Sequence, residues 1–244
     1  MSAFEITVVP ELRKTLEQVR NTQKNVPPLE RREHWPSFPA REFEPHGDHV
    51  MVVIPTDNDA KMHEITQKFR SLVPADKLHT ARLKINSHVG EQPYNEEGLT
   101  GGFNRLNGAF DILEAPFYQN EMKKFKIGTV IGMSIESFLQ LEFDGQKITS
   151  AVDYGAIVVH NATTGKSDFT ISEGVPMDPA YVEIARTFGF EDAEEKQGHV
   201  TAGKVFAAHV PGLHHADWQG VVTGTPRYDT LRKAMDEMKI PLDH

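Results

Sequence analysis

The sequence predicts an α+β fold, with a mixed or mostly antiparallel central sheet flanked by three to four helices. Three observations carry that prediction. Strand-like runs cluster between residues 80 and 175, and helical spacings lie on both sides of them. At 244 residues the chain can bury a sizeable core without covalent staples. No period of roughly 20–50 residues repeats, which excludes a solenoid or an array.

The elements follow in order. Over residues 10–24, Leu12, Leu16 and Val19 fall on one face of a short charged helix. Residues 26–47 carry five prolines, Pro27, Pro28, Pro36, Pro39 and Pro45. Proline fixes φ and removes a backbone donor, so this stretch reads as an extended arm. Trp35, Phe38 and Phe43 interleave it, and rings that large predict docking on a surface, of this chain or of a second subunit. Residues 1–47 are therefore read as an N-terminal helix and Pro-rich arm, and 48–244 as a single α+β domain. The apolar run VMVVI (50–54) reads as a buried strand. Met62, Ile65, Phe69 and Leu72 then mark a helix that Asp57 or Asn58 caps and Pro74 closes. TARLKIN (80–86) alternates. FLQLEFDGQKITSAVDYGAIVVHN (138–161) reads as two or three strands, with a hairpin turn at Asp144-Gly145 and another turn at Asn161 to Gly165 before SDFTI. Asp178-Pro179 and Thr225-Pro226 each pair a cap with a first helical residue, opening helices over 179–190 and 226–240. Between them KVFAAHVPG (204–212) reads as one more strand.

Composition narrows the function classes. Lys and Arg total 26 against 35 Asp and Glu, a net charge of −9, so the chain lacks the positive charge that coating nucleic acid or an anionic membrane requires. With no cysteine, disulfides, thiolate metal sites and thiol nucleophiles are excluded. No apolar run approaches the ~20 residues of a membrane helix, and MSAFEITVVPELRK has charges where a signal peptide would be apolar. The expectation is a soluble, cytoplasmic protein with neither nucleic-acid nor membrane partners.

Histidine is the unusual residue: there are twelve, and they group. In HVPGLHHADW (209–218), His209 precedes a Pro-Gly turn that can reverse the chain towards His214 and His215, with Asp217 two residues on. Imidazoles with a nearby carboxylate suit zinc, manganese or iron(II), and also metal-free acid–base work. His209, His214 and Asp217 are thus the expected catalytic residues, and His209, His214 and His215 the expected ligands of a divalent metal. HGDH (46–49) is the next candidate. In SHVGEQPYNEEGLTGGFNRLNG (87–108), five glycines and no clear periodicity read as a long functional loop. There Gly101 and Gly102 would bring backbone donors to an anion, and Arg105 would clamp a carboxylate with its planar fork. No phosphate-loop, dinucleotide or nucleophile-elbow motif occurs.

GLTGGFNRLNGAFDILEAPFYQ (98–119) is similar to a segment of the acetolactate decarboxylases, and FLQLEFDG (138–145), PAYVEIARTF (179–188) and VPGLH (210–214) follow in that family's order. The resemblance implies a decarboxylase-like lyase acting on a small carboxylate, with zinc on three histidines and glutamates and an arginine nearby. His214 matches the first ligand of that pattern. His215 stands where the family has a one-residue gap, Ala109 replaces a glutamate, and the downstream glycine-glycine-histidine is missing. The expected function is accordingly a histidine-based, metal-assisted lyase that forms a homo-oligomer through the N-terminal arm. The alternative is a non-enzymatic oligomeric protein binding a small ligand or a partner.

Overall fold

Thr15 opens the first ordered helix with a reciprocal cap: its hydroxyl accepts from the Gln18 amide, and Gln18 Oε1 accepts from the Thr15 amide at 2.8 Å. The structure is a computed structural model and describes residues 6–30, 36–188 and 199–242. A 3₁₀ turn at Pro10–Leu12 and α1 (Leu16–Thr22) precede β1 (His49–Ile54). A crossover through α2 (Asp59–Arg70) returns the chain to β2 (Leu78–Arg82), parallel to β1. Two helices, α3 (Glu97–Leu113) and α4 (Pro116–Lys124), then lead to the long hairpin β3 (Ile127–Asp144) and β4 (Lys147–Asn161), followed by β5 (Ser167–Ile171) and β6 (Val175–Pro176). The described chain ends with α5 (Pro179–Thr187), α6 (Ala202–His209), α7 (Trp218–Thr223) and α8 (Arg227–Glu237).

The sheet is mixed, in the order β2-β1-β3-β4-β5, with β6 also on β4. β3 joins its two halves, parallel to β1 on one side and antiparallel to β4 on the other. The expected α+β architecture is therefore present. Strand alternation sorts the core. Ile131, Met133 and Ile135 pack with α2 and α8, while Val130 and Phe138 pack with α3. The far ends of β3 and β4 carry a third cluster, built with α5, α6 and Trp218.

Two segments differ from the sequence reading. KVFAAHVPG is helical rather than extended. Ala202, Val205, Phe206 and His209 are buried at spacings of three, one and three, and Thr201 caps the first turn. The glycine-rich stretch holds helix α3 rather than a loop. A β-carbon on Gly98 would stand 2.4 Å from Phe138, and one on Gly101 2.6 Å from a Val89 methyl. Each glycine costs a helix about 1 kcal/mol relative to alanine, and here it admits the helix backbone against the sheet.

The arm lies on its own chain. Val26 bridges Gly174, and the Tyr154 hydroxyl donates to the Pro27 carbonyl. Phe38 stacks on His160 with ring centres 4.0 Å apart, and Phe43 is buried against Phe110. Arg41 pairs with Asp111 and Glu114. Burial, helped by the Arg41 charge, pushes the His160 imidazole down to about 4, so it is neutral under its aromatic lid. Trp35 lies outside the described residues.

Candidate functional site

Pro55, which has no amide hydrogen, follows the last residue of β1, and the β1–β3 ladder ends at the Val53–Gly132 pair. Pairing on that edge of β3 resumes only at Leu139, opposite Tyr94. Between them the edge of β3 is bare, and a cleft of about 450 Å³ opens against it at the carboxyl end of β1. Crevices at strand carboxyl ends are where open sheets with parallel strands bind ligands.

Side chains occupy the bare edge. Lys61, in the first turn of α2, reaches across and donates to the Ile135 carbonyl at 2.7 Å, with its Nζ 3.6 Å from Glu136 Oε1. Glu136 points to the α3 face, where Arg105 Nε donates to its Oε2 at 2.7 Å. Its other oxygen accepts from the Ser137 amide. Arg227, the first residue of α8, donates to Ser137 Oγ and lies 3.4 Å from Asp153 Oδ2. Gln219 Nε2 donates to that same oxygen at 2.8 Å. Gln92 closes the far wall, its Oε1 accepting from the first amide of α6.

The cleft is less negative than the chain as a whole: Lys61, Lys204 and Arg227 in its lining balance Glu91, Glu136 and Asp153. Three helices, α2, α6 and α8, start at its wall, at Asn58, Thr201 and Arg227. Each N-terminus acts as roughly half a positive charge. Lys61, Lys204 and Arg227 line the same space. Burial drives the Lys61 ammonium below its ordinary range, against the pull of Glu136. Burial works to raise the Glu136 carboxyl, but Lys61 and Arg105 outweigh it and hold it below the usual value. Burial raises Asp153, with Arg227 and Gln219 opposing. Leu139, Met177 and Trp218 supply an apolar side. A second hollow of about 660 Å³ lies between the arm and α4, but its buried cation, Arg41, is already paired.

The residues expected from the sequence fall in different places. His209 is fully buried, its Nε2 accepting from the Val9 amide at 3.0 Å and its Nδ1 donating to the Val205 carbonyl at 2.8 Å. Both ring nitrogens are engaged, so the ring anchors the N-terminal segment to α6. His214 and His215 are exposed beyond the end of α6 with ring centres 4.7 Å apart, and only His215 of the two lines the cleft. Asp217 is the exposed residue preceding α7. The structure therefore does not bring His209 together with His214 and His215, and among the described residues no three His, Asp or Glu side chains converge to hold a metal. The Pro-Gly turn follows a helix, which faces His209 inward. Gly101 and Gly102 abut Val89, Ser134 and Val158 rather than presenting amides to the cleft. Arg105 does clamp a carboxylate, that of Glu136.

His209→Ala should cost about 2 kcal/mol, because the Val9 amide and Val205 carbonyl lose a buried partner. Urea denaturation measures that loss, while ligand binding at the cleft should stay intact. The sequence reading passed over Lys61, Glu136, Asp153 and Arg227. A signal was present: Glu136 and Asp153 are single carboxylates inside otherwise apolar strand runs, where ionisable residues are rare unless paired.

No family model matches this chain, and no curated protein matches it. Among solved structures it is similar to a putative neuraminyllactose-binding hemagglutinin homolog from Helicobacter pylori, at 12% identity and a TM-score of 0.24 over 59% of this chain and 72% of that one. It is also similar to a PelC dodecamer from Paraburkholderia phytofirmans, at 12% identity and a TM-score of 0.20 over 67% of this chain and 89% of that one. Likenesses that low carry no argument. Protein VC0702 from Vibrio cholerae matches at a TM-score of 0.53 and 14% identity, over 77% of this chain and 91% of that one, and with it this chain shares a fold.

Proposed function

We propose that this protein is a small-molecule enzyme that binds a phosphate-bearing substrate in the β1–β3 cleft and hydrolyses its phosphoryl bond, water attacking phosphorus as the bond to the leaving oxygen breaks and a proton of that water passing to the leaving oxygen. One observation carries the reading: three helix N-termini converge on one cleft whose cations, Lys61, Lys204 and Arg227, are balanced by Glu91, Glu136 and Asp153, so the helix ends leave it positive in a chain of net charge −9. Phosphoryl transfer asks of a protein chiefly positioning and charge stabilisation, which these groups supply. Lys61 and Arg227 hold the phosphate oxygens, Glu136 fixes Lys61, and the side formed by Leu139, Met177 and Trp218 takes the organic part of the substrate.

A second reading keeps the small carboxylate substrate and the decarboxylase-like lyase. It is favoured by His215, which lines the cleft. Burial, then His214 and Lys204, hold its imidazole below the ordinary value, so it is neutral and can accept a proton at pH 7. One experiment separates the two. Purified protein is assayed for phosphate release from pyrophosphate, sugar phosphates and nucleoside phosphates, and for carbon dioxide release from acetolactate and related acids, each with and without magnesium, manganese or zinc. Phosphate release is the expected result. Carbon dioxide release alone would replace this reading with the second.

A further inference from the structure

Arg227 is shared. It lines the cleft, yet its guanidinium lies against Asp153, whose side chain is 11% exposed on β4. The groups facing Asp153 can be named element by element. From α8 come Arg227 and Tyr228, and from α7 Gln219, whose Oε1 is buried without a partner. From β3 comes Ser137, with Glu136 beyond it already matched by Lys61 and Arg105. Between β5 and β6 stands Glu173, paired with Lys233. Across the cleft lie Glu91, Lys204 and His215. Among the described residues, Arg227 is the cation in ion-pair contact with Asp153.

We propose that an anion entering the cleft takes Arg227 away from Asp153, and that Asp153 then binds one proton from solvent. The inference rests on the cleft being an anion site, as proposed above. A buried carboxylate stays ionised only while an opposite charge or donor faces it. Burial already pushes Asp153 above the usual carboxylate range, and Arg227 and Gln219 restrain it. Moving Arg227 to the ligand removes the stronger restraint and places negative charge nearby, and both changes favour the neutral acid. Asp153 is thus a positioning residue. It holds Arg227 pointing into the empty cleft and releases it at the cost of a proton. By linkage, binding must tighten as pH falls through the Asp153 titration.

Methylenediphosphonate, a pyrophosphate analogue that is not hydrolysed, is the probe, titrated calorimetrically into the full chain over a pH series in buffers of unlike ionisation heat. Protonation changes of the probe itself are common to all variants and cancel in comparison. Within the Asp153 titration the native protein should take up more protons per site than Asp153→Asn, approaching one, and its affinity relative to that variant should fall with rising pH by up to tenfold per pH unit. Gln219→Met, which removes the second restraint with little change of volume, should shift that window upward. Equal proton counts in native protein and Asp153→Asn would overturn the proposal. Should Asp153→Asn fail to fold, an unmoved window in Gln219→Met would overturn it instead. No methylenediphosphonate heat in native protein would overturn the anion-site reading, and this inference with it.

Discussion

Glu136→Ala should lower the unfolding free energy by about 3–5 kcal/mol, the usual result of removing one partner from a buried charge pair. The carboxylate is 8% exposed and faces Lys61 and Arg105 together. Its loss leaves two cations partly out of water with no counter-charge. Denaturant unfolding measures the change, and Glu136→Gln, which keeps the volume and some hydrogen bonding, should lose less. The sign of the pH effect follows. Because the folded carboxyl titrates below its ordinary value of 4.5, its stabilisation is complete above that pH and fades as pH falls through the folded value. The native protein should thus lose stability in that acid range, and Glu136→Gln should show a shallower acid limb. An identical limb in both proteins would show that the ion pair contributes nothing.

Lys61→Met should reduce kcat/KM for the phosphorylated substrate by about 10²–10³, the usual cost of removing one donor aimed at developing charge. The side chain is 16% exposed, and its ammonium is held by the Ile135 carbonyl and Glu136, so its position is set before substrate arrives. Methionine keeps the apolar stem and removes the charge. Glu136 retains Arg105, so the variant should stay folded, which circular dichroism checks. Activity within tenfold of native would remove Lys61 from the reaction.

The large periodic elements were legible in the sequence. The strand at 50–54, the helix after it, the Asp144-Gly145 hairpin and the helix opened by Pro179 appear where spacing and turn residues place them, while the last helix begins at Arg227 with Pro226, not Thr225, in the cap position. α3 was hidden because glycines at 98, 101 and 102 contradict helix propensity, and only the close packing against β3 explains them. α6 was hidden because its eight residues are short enough for an apolar run to pass as a strand. The site was less legible than the fold. Histidines draw attention by number, yet His209 and His160 face inward as anchors, and the charged groups of the cleft, Lys61, Glu91, Glu136, Asp153, Lys204 and Arg227, lie far apart in the chain. What unites them is the gap on the edge of β3, a property of strand pairing that no local motif announces.

The arm has a consequence for how the chain is made. Its contacts reach far forward: Val9 to His209, Leu12 to Tyr181, Arg20 to Val221 and Pro27 to Tyr154, separations of 200, 169, 201 and 127 residues. Ribosomes add roughly 5–20 residues each second, so these segments wait on the order of 6–40 s before their seats exist. In that interval Phe43 can meet Phe110 once α3 is made, but Phe38 lacks His160 until β4 follows. A nascent chain of this protein stalled before residue 154 therefore holds Val9, Leu12, Arg20 and Pro27 without the partners they dock on.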